Sequence, residues 1–166
     1  MQMWYNAHMQ INGFEDIKKH FKKLQSISTS NLFLSFHKMR NGTPFVVVCG
    51  GCYAEAFCFL NKKIQSLCLA TFDMKKHPDG KKYLFITSIK SKIKGAGVGS
   101  EVINVLKHHG IKNNCECIEL ISVKNARMFY DKLGFISDGE DFLSLRTYSF
   151  NLQELKRKKL KNLTID

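Results

Sequence analysis

A short glycine-rich stretch constrains this chain more than any other feature. Residues 94–100 read Lys-Gly-Ala-Gly-Val-Gly-Ser, and they lie between an apolar run over 83–89 and an amphipathic run over 98–109. This pattern predicts a strand, a turn and a helix in that order. The first N–H groups of a helix lack intrahelical partners and, together with the helix dipole, favour an anion. Because glycine has no Cβ, a diphosphate can approach the backbone there. The stretch therefore predicts a phosphate-binding turn, with an ordinary glycine-rich turn as the alternative.

Two common nucleotide-binding patterns do not fit this stretch. A Walker A loop ends in Gly-Lys-Ser or Gly-Lys-Thr, and residues 95–100 contain no such ending. The dinucleotide pattern Gly-x-Gly-x-x-Gly needs a wider last interval than the regular spacing of Gly95, Gly97 and Gly99 provides.

The composition is that of one globular domain, which we assign to residues 1–166. Hydrophobic residues make up 44% of the chain and charged residues 24%, so a substantial core is expected and disorder is not. The first residues lack the basic and apolar regions of a secretion signal. The most apolar stretch, 44–60, is interrupted by Gly50, Gly51 and Glu55, so we expect no membrane span and no membrane partner.

Six cysteines, at 49, 52, 58, 68, 115 and 117, lie mostly within apolar runs. Free thiols in a reducing compartment have this distribution, so we expect a cytoplasmic protein. Cys49 and Cys52 have the Cys-x-x-Cys spacing, but a structural zinc site usually needs a second such pair, and the spacing of Cys115 and Cys117 is too short. We interpret Gly50-Gly51 as a tight turn and predict no metal; zinc or redox chemistry at Cys49 and Cys52 is the less favoured alternative.

The hydrophobic pattern along the chain predicts a mixed order of strands and helices. We predict strands at 4–11, 53–60, 64–72, 82–89, 115–121, 135–136 and 142–150, and helices at 14–26, 98–109, 126–133 and 152–163, the last being either a basic helix or a frayed end. Residues 31–39 fit a helix or a strand, and we favour a helix; residues 45–48 fit a strand or a buried loop. Gly110 and Gly134 are predicted to end the helices before them, and Asn125 to cap the helix that follows it.

Two motifs resemble the GNAT superfamily of N-acetyltransferases. Residues 94–99 are similar to its acetyl-CoA pattern, Arg/Gln-x-x-Gly-x-Gly/Ala, with Lys94 in place of Arg or Gln and with Gly97 and Gly99 at the matching spacing. Residues 125–135, Asn-Ala-Arg-Met-Phe-Tyr-Asp-Lys-Leu-Gly-Phe, resemble the family's segment Asn-x-x-Ala…Phe-Tyr-x-Lys-x-Gly-Phe. The separation of the two motifs and the order of the predicted elements are also those of the family. The resemblance is good over 53–135 and looser elsewhere.

The resemblance implies a fold and a reaction. The fold is α/β (α+β), with a mixed, mostly antiparallel central sheet of about six to seven strands flanked by helices. The sheet is expected to be splayed between the strand before the glycine-rich stretch and the next strand. The implied reaction transfers an acetyl group from acetyl-CoA, the co-substrate, to a primary amine that attacks the thioester directly. No metal is implied.

The same resemblance implies the site residues. The cofactor-binding residues would be Ile89, Lys94, Gly95, Ala96, Gly97, Val98, Gly99, Ser100, Asn125 and Tyr130. Lys94 supplies a point charge where arginine would supply a planar fork. The backbone N–H of Ile89 would stabilise the oxyanion. Tyr130 would pass a proton to the leaving thiolate; the reference pKa is about 10 for a phenol and about 8.5 for a thiol. The alternatives are plain core positions for Ile89 and Tyr130 and a helix cap for Asn125.

The acceptor side of the site carries less information. A protonated amine needs a base, but the predicted strand 82–89 has only Thr87 and Ser88, with no Glu or His where relatives often have one. Weak candidates elsewhere are Glu55, Asp73, His77 and His8, and a water relay is an alternative. Asp138, Glu140 and Asp141 form a compact acidic group near the predicted last hairpin. They are predicted to attract a cationic acceptor, with a solvated turn as the alternative.

The formal net charge of +12 predicts a polyanionic partner. CoA is one such partner, and nucleic acid and ribosomes are others. The leading hypothesis is therefore an acetyl-CoA-dependent N-acetyltransferase acting on a small-molecule or protein amine. The alternative is a non-catalytic CoA-binding domain whose basic surface binds nucleic acid or the ribosome. A homodimer is left open.

Overall fold

The computed structural model describes residues 15, 16, 19, 32–60, 63–139 and 144–163. The strands are β1 (Phe33–Lys38), β2 (Pro44–Gly50), β3 (Tyr53–Leu60), β4 (Lys63–Lys76), β5 (Lys82–Ser91), β6 (Cys117–Val123), β7 (Ile136–Ser137) and β8 (Leu145–Asn151). The helices are α1 (Val98–Lys112), α2 (Arg127–Lys132) and α3 (Leu152–Leu163), with a 3-10 turn at Lys124–Ala126. Residues 15, 16 and 19 are helical. The predicted strand 4–11 and most of the predicted helix 14–26 lie outside the described residues.

The strands form one sheet. In the described part of the chain it has eight strands in the order β1-β2-β3-β4-β5-β6-β8-β7. Every neighbouring pair is antiparallel except β5 and β6, which are parallel. The mixed, mostly antiparallel GNAT fold is therefore confirmed, with more strands than the sequence predicted. The predicted elements at 53–60 and 152–163 have their predicted bounds, and residues 45–48 belong to a strand. No described helix has the length and apolarity needed to cross a bilayer.

The additional strand is β1, and the predicted helix over 31–39 is wrong. Phe33–Lys38 pairs antiparallel with β2, with Lys38 opposite Pro44. The two strands are joined by a turn in which the backbone N–H of Met39 donates a hydrogen bond to the Thr43 carbonyl at 2.8 Å. Leu34 and Phe36 on one face of β1 pack against a small apolar cluster that includes Val46 and Val48. Tertiary pairing with a β-branched neighbour has decided a segment whose own pattern was ambiguous.

Helix α1 covers one face of the sheet and forms the main core with it. Of the predicted apolar stripe, Val98, Val102, Val105 and Leu106 are buried, whereas its last member, His109, is half-buried. It packs against strand residues that include Leu84 on β5 and Ile118 and Leu120 on β6. Because side chains alternate along a strand, the residues between these positions on β6 point to the opposite face.

Gly110 does not end α1, contrary to the prediction. The helix continues to Lys112, and Asn114 adopts the left-handed conformation beyond it, with φ of 60°. A Cβ at position 110 would lie 2.7 Å from Cδ1 of Leu152, the first residue of α3. The absence of a Cβ at Gly110 therefore lets the Leu152 side chain pack directly against α1, and a larger residue there would displace that side chain. Gly134, with φ of 78° directly after Leu133, the C-cap of α2, does have the predicted role.

The six cysteines are free thiols. Cys49 is buried at the end of β2 and Cys52 is exposed. The turn between β2 and β3 is Gly51-Cys52 rather than the predicted Gly50-Gly51, because Gly50 pairs with Tyr53. Gly51 has φ of 59°, which suits this two-residue hairpin.

Alkaline pH is expected to destabilise the fold through Cys49. Burial raises the pKa of its thiol from 9.0 to about 12, so the unfolded chain loses this proton first. The stabilisation is complete below pH 9 and is lost as the pH rises towards 12, at about 1.4 kcal/mol per pH unit for one such group. Urea unfolding at pH 8.5 and 10.5 should show a smaller pH slope in Cys49→Ala than in wild type. The exposed Cys52→Ala is the control, and an equal slope in Cys49→Ala and wild type would contradict the assignment.

Candidate functional site

Strands β5 and β6 separate halfway along their length. Their parallel pairing runs only from Tyr83 opposite Cys117 to Ile86 opposite Leu120. Beyond this point β5 continues to Ser91 and β6 to Val123. The backbone groups of β5 that point towards β6 beyond Ile86 therefore have no ladder partner among the described residues. This is the splay that the resemblance predicted.

A bulge in β5 lies where the separation begins. Thr71 on β4 pairs with Ser88 and Phe72 pairs with Ile86, so Thr87 is an extra residue on β5. The Thr71 Oγ1 atom is 2.7 Å from Thr87 Oγ1 and 2.8 Å from Ser88 Oγ. A bulge bends and twists its strand, and here it directs β5 away from β6.

The separation opens a cleft of about 890 Å³. Its lining residues come from both separated strands, the glycine-rich stretch, the start of α1, helix α2 and the turn between β1 and β2: Arg40, Ile86–Ser91, Ile93–Gly95, Gly97, Gly99, Ser100, Leu120–Val123, Ala126, Met128–Tyr130, Lys132 and Leu133. Four exposed apolar side chains, Ile93, Ile121, Val123 and Met128, form part of this lining. The cleft therefore combines polar backbone at one end with an apolar surface.

The glycine-rich stretch supplies the N-terminus of α1. Gly97 is the N-cap, with φ of 86°, and no side chain caps the helix. A Cβ at Gly95 or Gly97 would meet nothing within 4 Å, so the backbone faces open space. Gly99 is different, since its Cβ would lie 3.5 Å from the Phe129 ring in an ordinary helical conformation. The uncapped amides and the open approach are the geometry that an anion requires.

The structure brings most of the predicted cofactor residues together. Ile89, Lys94, Gly95, Gly97, Gly99, Ser100 and Tyr130 all line the cleft. Val98 does not, because its side chain is fully buried in the core. Ala96 also does not line the cleft; its carbonyl accepts a hydrogen bond from the backbone N–H of Arg40 at 3.2 Å.

Asn125 lies in the 3-10 turn between β6 and α2, exposed and outside the cleft lining. The predicted cap is wrong, because α2 begins after Ala126 and has no side-chain cap. Nothing in the geometry of the described residues brings this side chain to the glycine-rich stretch.

Arg40 is a cleft residue that sequence reasoning missed. It lies in the turn between β1 and β2, more than fifty positions before the glycine-rich stretch. A hydrogen bond from the backbone N–H of Arg40 to the backbone carbonyl of Ala96 holds the turn against this stretch. Arg40 also lines the same cleft as Lys94. No sequence spacing could reveal this proximity, because β1 was predicted as a helix.

Tyr130 lies on α2 with its side chain almost fully buried, at 5% exposure. Its ring contacts those of Phe129, Phe135 and Tyr148, with centroids 5.1, 5.7 and 5.9 Å away. Its carbonyl accepts hydrogen bonds from the N–H groups of Leu133 and Phe135, which fixes the end of the helix. Burial raises the pKa of the Tyr130 hydroxyl to about 12, so the phenol is protonated at neutral pH.

The cleft is cationic. Arg40, Lys90, Lys94 and Lys132 line it, and among its described lining residues there is no Asp, Glu or His. The predicted base candidates Glu55, Asp73 and His77 lie elsewhere, and His8 lies outside the described residues. Asp138 follows β7, is exposed and does not line the cleft, whereas Glu140 and Asp141 lie outside the described residues.

Comparison with protein families and solved structures agrees with this geometry. Residues 72–144 match the family model described as the acetyltransferase (GNAT) domain. This segment contains β5, the glycine-rich stretch, α1, β6 and α2, which together form most of the cleft. A comparison with curated proteins gave no significant match.

Three solved structures illustrate the shared fold. A protein assigned as an N-acetyltransferase from Lactobacillus plantarum is similar with a TM-score of 0.51 and 10% identity, over 64% of this chain and 69% of that one. FeeM, an N-acyl amino acid synthase from uncultured soil microbes, is similar with a TM-score of 0.51 and 10% identity, over 65% of this chain and 77% of FeeM. The structure of AtaTR bound with acetyl-CoA is similar with a TM-score of 0.50 and 14% identity, over 63% of this chain and 69% of that one. At these identities the similarity concerns the fold.

Proposed function

We propose that this chain, a GNAT acetyltransferase domain by the match of residues 72–144 and by its fold, transfers the acetyl group of acetyl-CoA to a primary amine. One observation carries the proposal. The pairing of β5 and β6 stops at Ile86 while both strands continue, and the cleft so formed leads from the uncapped start of α1 to the buried Tyr130.

The start of α1 suits the pyrophosphate of acetyl-CoA. The free amides after Gly97 point into open space, and Ser100 can add a hydroxyl from the cleft lining. Lys94 and Arg40 supply positive charge beside these amides. The pantetheine arm then extends between β5 and β6, where unpaired strand backbone can bond its amides as a third strand would.

The separated part of β5 suits the thioester. Ile89 is half-buried and lines the cleft, and its backbone N–H is the proposed donor to the thioester carbonyl. When the amine attacks the carbonyl carbon, a C–N bond forms and the oxygen becomes negative, so a fixed donor stabilises the transition state by about 3–4 kcal/mol.

Tyr130 is the proposed partner of the leaving sulfur. When the C–S bond breaks, the sulfur carries the electron pair away as a thiolate, and the Tyr130 O–H donates a hydrogen bond to it. Complete transfer of this proton is uphill, because the pKa of Tyr130 is raised to about 12 while that of a thiol is about 8.5. The acceptor ammonium loses one proton to water before attack. Its nitrogen loses a second proton after the C–N bond has formed, and this proton passes through water to the thiolate as free CoA thiol is released.

Arg40→Ala is expected to weaken acetyl-CoA binding. A charge-assisted hydrogen bond contributes about 1.5–3 kcal/mol, so calorimetry should show Kd raised about tenfold or more. Arg40→Lys should recover part of the loss, because it keeps the charge without the planar fork. Lys38→Ala is the matched control, since Lys38 is exposed on β1 and does not line the cleft. Equal affinities for Arg40→Ala and Lys38→Ala would exclude a phosphate contact at Arg40.

Two measurements test the function as a whole. Calorimetry should show binding of acetyl-CoA at one site, and a panel of small amines, lysine-containing peptides and peptide N-termini should contain an amine that triggers thiol release. An absence of acetyl-CoA binding would contradict the cofactor site. Binding without amine-dependent thiol release from any acceptor would instead favour the alternative below.

The alternative is a non-catalytic CoA-binding domain with a basic surface for nucleic acid or the ribosome. One observation favours it: the described lining of the cleft holds four cationic side chains and no carboxylate or imidazole to serve as a base. The charge of +12 fits such a partner. Filter binding of RNA with a steep salt dependence, together with inactivity towards all amines, would distinguish it.

A further inference from the structure

Three potential metal ligands meet on the sheet face opposite α1. Cys117 and Glu119 alternate along β6 with the core residues Ile118 and Leu120, so their side chains point away from the core helix. His77 reaches them from the residue directly after β4. None of these three ligands lines the cleft described above.

The three side chains converge on one point. The His77 Nε2 atom lies 3.1 Å from Glu119 Oε1, and the Cys117 Sγ atom lies 3.7 Å from the same oxygen. One ligand atom from each residue lies within 4.8 Å of the other two. Around a tetrahedral Zn²⁺ with ordinary bond lengths, nitrogen and oxygen ligands are about 3.3 Å apart, and sulfur and oxygen ligands about 3.5 Å. The two separations to Glu119 Oε1 are therefore close to those that a bound ion imposes, and the third pair lies within 4.8 Å.

These ligands are held by rigid elements. The His77 ring stacks on Tyr83, with centroids 4.1 Å apart and planes 17° apart. The turn after β4 is closed by hydrogen bonds from the His77 N–H to the Lys81 carbonyl and from the Gly80 N–H to the His77 carbonyl, both at 2.9 Å. Little side-chain or backbone ordering would be needed on binding, which favours affinity.

The surrounding pocket is acidic in an otherwise basic chain. Its volume is about 360 Å³, and its lining carries three carboxylates, of Asp79, Glu116 and Glu119, against one lysine. That lysine, Lys81, is paired with Asp79 at 3.0 Å. A chain with net charge +12 therefore presents a locally negative pocket, which suits a cation.

We propose that His77, Cys117 and Glu119 bind one divalent transition-metal ion, with Zn²⁺ as the ion that this donor set favours. Imidazole, thiolate and carboxylate are the three ligand types of protein zinc sites, and water completes the four-coordinate geometry. Cys117 loses its proton to solvent on binding. The ion joins the turn after β4 to β6 and so stabilises the fold, and it takes no part in acetyl transfer. The sequence offered no sign of it, because the ligands are separated by forty positions and form no zinc motif.

Cobalt spectroscopy of the full-length chain tests the site. After removal of metal with a chelator, Co²⁺ should bind with a stoichiometry of one and give a thiolate-to-cobalt charge-transfer band, which Zn²⁺ then abolishes. Cys117→Ser should lose the band, and His77→Gln should weaken Zn²⁺ binding by at least about tenfold. Cys52→Ser is the matched control, because Cys52 is the exposed thiol, and it should keep both.

Two results would overturn the site. One is the absence of the band from wild-type protein, which would mean that the three side chains form only a hydrogen-bonded cluster. The other is a band that survives Cys117→Ser, which would place the ion elsewhere. If Cys117→Ser is unfolded, His77→Gln decides the question, since His77 lies just beyond β4 and outside the paired strands, and we expect its replacement to leave the sheet intact. Binding of Zn²⁺ should raise Tm in wild type and much less in His77→Gln.

Discussion

Replacement of Gly97 by aspartate is expected to abolish acetyl-CoA binding without unfolding the protein. Gly97 begins α1 with φ of 86°, and a Cβ there would meet nothing within 4 Å. The new carboxylate therefore fits the protein but occupies the place of the diphosphate and repels it. Aspartate also tolerates the left-handed conformation better than most residues. Calorimetry should detect no heat at acetyl-CoA concentrations that saturate the wild type.

Two control variants separate the effect of the new charge at position 97 from the effects of backbone strain and of an aspartate placed elsewhere. Gly97→Asn has the same shape and backbone strain without the charge, so it should bind acetyl-CoA more weakly than wild type but measurably. Gly80→Asp places the same side chain at another open glycine with φ of 84°, in the turn between β4 and β5, and should bind normally. A folded Gly97→Asp protein that binds acetyl-CoA with wild-type affinity would show that the start of α1 does not bind the diphosphate.

Tyr130→Phe is expected to lower kcat by about 10–10²-fold, because a hydrogen bond to a charged group contributes about 1.5–3 kcal/mol and this one is made only as the thiolate forms. The change removes one hydroxyl and hardly any volume, so the ring contacts with Phe135 and Tyr148 and the free energy of unfolding should change little. The KM for acetyl-CoA should stay within a few-fold of the wild-type value. Steady-state thiol release measures both constants.

Tyr148→Phe is the matched control for Tyr130. Tyr148 is equally buried and its ring lies next to that of Tyr130, but it does not line the cleft. It should keep kcat within about threefold of wild type, since no transition-state contact is lost. The same small change in Tyr130→Phe would mean that water assists the leaving sulfur. Unfolding of Tyr130→Phe would mean that the hydroxyl is a structural donor.

The elements that sequence reasoning predicted well carry their own periodicity. The run over 83–89, the glycine-rich stretch and the stripe of α1 each reveal their structure in a few consecutive residues, and the first two supply one side of the cleft lining. The splay between β5 and β6 followed from the family resemblance. The bulge at Thr87, which coincides with it, could not be predicted because it depends on the register with β4.

What failed depends on contacts between distant segments. Phe33–Lys38 forms a strand because β2 offers a partner, and Gly110 lies inside α1 where Leu152 packs against it. Arg40 reaches the cleft only through that same pairing of β1 and β2. The convergence of His77 on Cys117 and Glu119 likewise needs the parallel pairing of β5 with β6. In each case the outcome depends on a contact between segments that are distant in the sequence, and no local pattern reveals such a contact.

The acidic group predicted to select the acceptor remains a prediction. Asp138 is exposed beside β7 and does not line the cleft, whereas Ile121, Val123 and Met128 are exposed apolar side chains that do. An acceptor that combines an apolar body with an amine would fit such a lining, so amines of this kind belong in the first panel.

Mass spectrometry of a complete reaction mixture tests the central claim most directly. Wild-type protein, acetyl-CoA and a responsive amine should yield one acetylated amine for each thiol released, and Gly97→Asp should yield neither product. Thiol release without acetylated amine, or acetyl-CoA binding with no acetylated product from any amine, would contradict acetyl transfer as the function of this cleft.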